Sequence, residues 1–189
     1  MAADEYVHRV RASIFAREAE WRLVGDRLVW REVDNSATGD RGVIALEQVE
    51  SVRLTTEPSR AGPRMFCRLR TRDGAIALIA SIHTAGVISA QDRGVTYRAL
   101  IDALVKRVAA ASPKARFLTG ITPTVWWSVV LGLAGLLGAM GALVVLVGGE
   151  IFTARILVGL ALVALGTPNL IRWLTANRPG AFDPANPPV

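Results

Sequence analysis

The chain has 189 residues and a formal net charge of +6, but Met1 to Thr122 carries 19 Lys and Arg against 14 Asp and Glu, and Pro123 to Val189 three against two. That split excludes one uniformly soluble domain and leaves a domain of roughly 120 residues, enough to bury a core, joined to an apolar C-terminal part. The single Cys67 excludes an internal disulfide and points to a reducing compartment.

The first twenty residues hold Asp4, Glu5, His8, Arg9, Arg11, Arg17, Glu18 and Glu20, with no apolar run of signal-peptide length. The domain is therefore expected to stay in the cytoplasm. Residues 1–18 read as an N-terminal segment and 19–112 as the domain proper. Gly25-Asp26 suits a two-residue hairpin turn, type II′ or I′, pairing Leu23 with Leu28 and Trp21 with Trp30 on one face and Glu20 with Arg31 on the other. Beyond a turn-rich loop from Asp34 to Asp40, short strands are expected near Gly42 to Leu46 and Val49 to Thr55, then a polar connection from Thr56 to Pro63.

Asp73-Gly74, taken as a two-residue type I′ turn, places Leu69 opposite Leu78, Thr71 opposite Ile76, Cys67 opposite Ala80 and Met65 opposite Ile82. These eight form an inward apolar face. Arg68, Arg70 and Arg72 then line the outer face, a candidate binding row for anionic lipid or an acidic partner, although a solvated strand face has the same pattern. From Thr96 to Ala111 the period becomes helical. Tyr97, Leu100, Ile101, Leu104 and Val108 share one side, Arg98, Asp102 and Lys106 form an i, i+4 ladder on the other, and Pro113 follows the end.

Antiparallel strands closed by one amphipathic helix are the element order of a pleckstrin-homology-like domain, and Glu20 to Ala111 resembles the bacterial members of that class. The likeness rests on Asp26-Arg27-Leu28-Val29-Trp30, on Ile44-Ala45-Leu46, on Val49-Glu50-Ser51-Val52-Arg53 and on the terminal helix. It implies an α+β fold, a small antiparallel β-barrel capped by one C-terminal helix. Eukaryotic relatives of that fold bind phosphoinositides around a long basic first loop; here the first turn is only Gly25-Asp26, and Asp26 repels phosphate. The whole chain also resembles bacterial two-pass membrane proteins with a tail like Asn177-Arg178-Pro179-Gly180, a resemblance from which no activity follows.

After a juxtamembrane linker at 113–124, Val125 to Val147 runs for 23 residues without a charge. As a helix it would be about 35 Å long, enough to cross a ~30 Å hydrocarbon core. A second span is expected at 151–174, with Arg155 and Arg172 near its ends, and 175–189 as a Pro-rich tail. Only Gly148, Gly149 and Glu150 separate the two, which implies a two-helix transmembrane hairpin. Trp126, Trp127 and Trp173 then share one interface with Lys114, Arg116, Arg172 and Arg178, against Arg155 opposite, so both termini are expected in the cytoplasm, at a bacterial inner membrane. Ala134, Gly138 and Ala142 make a small-residue face that packs either on the second helix, around Gly159 and Gly166, or on another copy in a homodimer.

Chemistry is sparse. His8 and His83 lie in unrelated segments with no metal-ligand spacing around them. Ser81, His83 and Asp92 supply the elements of a nucleophilic site without a nucleophile elbow or an oxyanion loop. No catalytic residue, metal, cofactor or nucleic-acid partner is expected. The reading is a non-enzymatic, membrane-anchored interaction module whose partners are the lipid bilayer and another protein. The alternative is an accessory subunit of a membrane transporter or enzyme that acts through its hairpin.

Overall fold

The structure, a computed structural model, describes residues 6–13, 15–33, 42–57, 63–84, 90–147 and 166–188. The chain divides into two units, one formed by Met1–Gly120 with Gly180–Val189 and the other by Ile121–Pro179.

In the first unit, β1 (Tyr6–Val10), β2 (Ala19–Val24), β3 (Arg27–Glu32) and β4 (Gly42–Ala45) form an antiparallel meander. The Gly25-Asp26 turn gives the expected register, Leu23 with Leu28, Trp21 with Trp30 and Glu20 with Arg31. A positive φ at Gly25 alone, 54°, fits the type II′ geometry, which needs a glycine at its first central position. β1, within the expected N-terminal segment, is thus tied to the domain by pairing with Ala19 to Leu23 of β2.

A 3₁₀ turn at Leu46–Gln48, with Leu46 buried, leads into β5 (Val49–Glu57), β6 (Arg64–Thr71) and β7 (Ile76–Ala80). The short hairpin β8 (Ile82–Thr84) and β9 (Ala90–Asp92) precedes helix α1 (Gly94–Ala111). β10 (Arg116–Thr119) lies parallel to β5, and β11 (Gly180–Ala181) pairs antiparallel with β10, giving the sheet order β11-β10-β5-β6-β7. The linker 113–124 and the tail 175–189 therefore each contribute a strand to this sheet.

The expected closed barrel is not what forms. The strands lie in separate four-, five- and two-stranded sheets. Closing a barrel requires every strand edge to find a neighbour. β5 already has β6 on one edge and β10 on the other, and β4 pairs with β3 only, so the first two sheets meet through side chains rather than a continuous ladder. Leu23, Leu28, Val52, Cys67, Leu69 and Ile79 are fully buried with Tyr97, Leu100, Ile101, Leu104 and Val108 of α1 in one core. The helical periodicity read from 96–111 thus picks out the buried side, and Lys106 Nζ reaches Asp102 at 2.9 Å on the exposed one.

One core group is poorly matched. The Tyr97 hydroxyl is buried with no hydrogen-bond partner among the described residues, and burial pushes the phenol up, with Cys67 adding to the shift. A buried, unpaired hydroxyl costs more than it contributes, so Tyr97→Phe should stabilise the domain by about 1 kcal/mol, read as a raised thermal midpoint. A lowered midpoint would mean that the hydroxyl has a partner.

In the second unit, α2 (Pro123–Val147) is a helix of 25 residues, and its stretch Pro123–Ala142, with mean hydropathy 1.7, is long and apolar enough to cross a membrane. Residues 166–176 are also helical. The Ile121 N–H donates to Asn177 O at 3.1 Å and Trp126 Nε1 to Leu174 O at 3.1 Å, so the start of α2 lies beside the end of that shorter helix. Among the described residues α2 alone passes as a span, and the expected two-helix hairpin is not carried by the structure. Of the second expected span, 151–165 lies outside the described residues, and the helical part at 166–174 is too short to cross a core of about 30 Å.

Candidate functional site

The arginine row is positioned by the turn that joins β6 to β7. The Gly74 N–H donates to Thr71 O, and the Thr71 N–H donates to Ala75 O, both at 3.0 Å. Gly74 has φ +89°. Together these make a three-residue loop, a type I turn over Thr71 to Gly74 followed by a left-handed glycine, and not the two-residue type I′ turn. The Thr71 hydroxyl and the Asp73 carboxylate close the loop from inside.

One extra loop residue moves β7 by one. Arg68 now faces Leu78, Arg70 faces Ile76, Leu69 faces Ala77 and Cys67 faces Ile79. The β6 faces are as expected, with Cys67, Leu69 and Thr71 inside and Arg68 and Arg70 outside, but the β7 faces are reversed. Ala77 and Ile79 enter the core, while Ile76 is 65% and Leu78 41% exposed.

The outer face of the five-stranded sheet therefore differs from a row of three arginines. Arg53 on β5 lies opposite Arg68, and Arg116 on β10 lies beside Ser51, which itself faces Arg70. Glu50 is the counter-charge, 2.7 Å from Arg116 and 3.4 Å from Arg70. Arg53 Nη1 donates to Gly120 O at 3.0 Å. Burial lowers the pKa of Arg53, and Arg68 and Arg116 lower it further. Arg72 is not part of this face: it sits in the turn, and its Nη2 reaches Ser112 Oγ at 3.3 Å. Arg53 and Arg116 escape a reading of single hairpins because sheet pairing alone brings β10 beside β5.

The catalytic elements are occupied by structural work. Ser81 is buried; its Oγ accepts from the Met65 N–H at 2.9 Å. His83 Nδ1 accepts from the Arg11 N–H at 3.2 Å and lies 4.0 Å from Glu18. Burial lowers the His83 pKa, Arg93 adds to that effect, and Glu18 opposes it. Asp92 accepts from the Gly94 N–H at 2.8 Å, at the entry to α1. His8 is buried, with Nε2 2.8 Å from Ala80 O and Nδ1 2.9 Å from Thr96 Oγ1. Burial depresses its pKa, the Ala80 hydrogen bond opposes that, and the nearby Arg93 charge assists it. Cys67 is fully buried, with its thiol pushed up to about 12 by burial, and has no nucleophilic character at neutral pH.

A second charged cluster, on the four-stranded sheet, centres on Glu20. That carboxylate is 0% exposed and is held by Arg9, by Arg22 at 2.6 Å and by Arg31 at 2.8 Å. In α2, Ala134, Gly138 and Ala142 are exposed, and a Cβ built on Gly138 would meet nothing within 4 Å. Gly159, the expected counterpart on a second helix, lies outside the described residues; Gly166 likewise has open space around it.

Among these arrangements, the outer face of the five-stranded sheet offers charge and apolar surface to another body. Compared with family models, curated proteins and solved structures, the chain matches none.

Proposed function

We propose that the chain is a non-enzymatic interaction module anchored in a bacterial inner membrane, with the sheet domain in the cytoplasm. The carrying observation is the pairing, in one chain, of a domain with its own core and a 25-residue uncharged helix, α2. Such a helix has a favourable place only in lipid or inside a much larger core. The pairing of β11 with β10 supports a reading in which the N-terminal strands and the C-terminal strand share one compartment. Lys114, Arg116 and Arg178 flank the apolar segment on that side, as the positive-inside bias of cytoplasmic loops favours.

Cysteines placed at Asp26 and at Asn186 test the assignment. Both should resist an impermeant thiol reagent in intact cells and react after permeabilisation, and the chain should stay with the membrane pellet through alkaline carbonate. Labelling of either site in sealed cells would overturn the topology, and release by carbonate would overturn the anchor.

A further inference from the structure

We propose that the outer face of the five-stranded sheet docks on anionic lipid headgroups, with Arg68 and Arg70 meeting phosphates and Ile76 and Leu78 entering the headgroup layer. The proposal rests on the reading of α2 as a membrane anchor and adds the surface that the domain turns to the bilayer.

Three observations carry it. The first is composition: Arg53, Arg64, Arg68, Arg70 and Arg116 share the face with two carboxylates, Glu50 and Glu57, so its potential is positive and complementary to an anionic leaflet. Arg68 has no ion-pair partner among the described residues. The second is the shifted register, which sets Ile76 across from Arg70 and Leu78 across from Arg68. Large side chains 65% and 41% exposed, each beside a guanidinium, make an amphipathic surface that water alone does not favour. An arginine stem can lie along apolar surface while its head stays with the phosphates.

The third is chain length. Only Gly120, Ile121 and Thr122 separate β10 from the first residue of α2 along the chain. β11 ties the same sheet to the returning chain. A domain joined to a membrane anchor by so few residues samples headgroups at high effective concentration, so weak electrostatic attraction is enough for occupancy.

The test uses the full chain reconstituted into vesicles, with a spin label at Leu78→Cys; buried Cys67 stays unlabelled. In phosphatidylglycerol vesicles the Leu78 label should be shielded from an aqueous relaxation agent and reachable by oxygen, and in phosphatidylcholine vesicles exposed to water. A label at Val43→Cys, exposed on the other sheet, should read as water-exposed in both.

Arg68→Glu with Arg70→Glu should cut the shielded population about tenfold or more. Arg27→Glu with Arg98→Glu makes the same change in net charge on exposed sites elsewhere and should leave it unaltered. An exposed Leu78 label in anionic vesicles, equal shielding in phosphatidylcholine, or indifference to the Arg68 and Arg70 reversals would overturn the proposal. Shielding that grows with the protein-to-lipid ratio would also overturn it, by showing a second copy on this face. Carbonate release of the chain from the vesicles would instead overturn the anchor reading, so the two failures are read separately.

Discussion

Ile79→Ala should destabilise the domain by about 2 to 5 kcal/mol, whereas Leu78→Ala, one residue earlier, should change it by less than ~1. Ile79 is fully buried among Cys67, Leu69 and the apolar side of α1, so truncation leaves a cavity that a close-packed core refills only in part. Leu78 stands on the opposite face of the same strand, 41% exposed beside the Arg68 stem. The pair of variants reads the strand register directly, because a shift of one residue exchanges the two faces. Urea unfolding of the detergent-solubilised full chain, followed by tryptophan fluorescence, measures it. Equal losses at both positions, or a larger loss at Leu78, would show that the turn holds two residues and not three.

Glu20→Gln should cost the domain roughly 1 to 3 kcal/mol. The carboxylate is inaccessible to water because Arg9, Arg22 and Arg31 cover it, and neutralising it leaves three guanidiniums facing one another across β1, β2 and β3. The cost stays below that of a fully buried pair because all three arginines reach water, 51%, 34% and 43% exposed, and so are partly screened.

The same cluster predicts a pH dependence. Burial works against the charge on Glu20, but hydrogen bonds from Arg22 and Arg9, with their charges, outweigh it and hold the carboxyl below its ordinary range. A carboxyl whose pKa is lower folded than unfolded binds more protons in the unfolded state. Its contribution is therefore complete above the ordinary carboxylate pKa and is lost as pH falls through the folded value. Glu20→Gln should remove part of the fall in stability on the acid side and leave the slope above about pH 6 unchanged. An unchanged acid limb would mean that Glu20 contributes no differential protonation.

The first hairpin and α1 were legible because their signals are local. A two-residue Gly25-Asp26 turn admits one register, and five apolar residues at helical spacing define one face. The second hairpin was not, since Asp-Gly occurs both as the centre of a two-residue turn and as the last two residues of a three-residue one. The choice depends on whether Arg72 joins the ladder or the loop, and the backbone bond from the Arg72 N–H to Gln48 O, 2.9 Å, helps hold it in the loop. That single residue reversed β7 and brought Ile76 and Leu78 out beside the arginines.

β10 and β11 carry no period that four and two residues can display, and both are defined by partners distant in sequence. The closed barrel was expected from the likeness to pleckstrin-homology-like domains, and β10 on the edge of β5 is one pairing that likeness did not foresee. Glu20 facing Arg31 follows from the turn, but its burial depends on Arg9 and Arg22, which act together only once β1 is paired.

The strand Gly180–Ala181 also orders events in time. It is translated after α2, so the five-stranded sheet is completed only when the apolar helix has already left the ribosome. Until then the free edge of β10 waits for a partner, a situation that favours mispairing in proportion to the delay. The contact that ends the wait is small: Leu118 with Ala181, Thr119 with Gly180, and the Phe117 ring edge-on to Phe182 at 5.7 Å. Emergence of α2 thus comes before closure of the sheet, and clipping the chain ahead of Gly180, or fusing a bulky tag close behind Phe182, would act on the folding of the domain rather than on a dispensable tail.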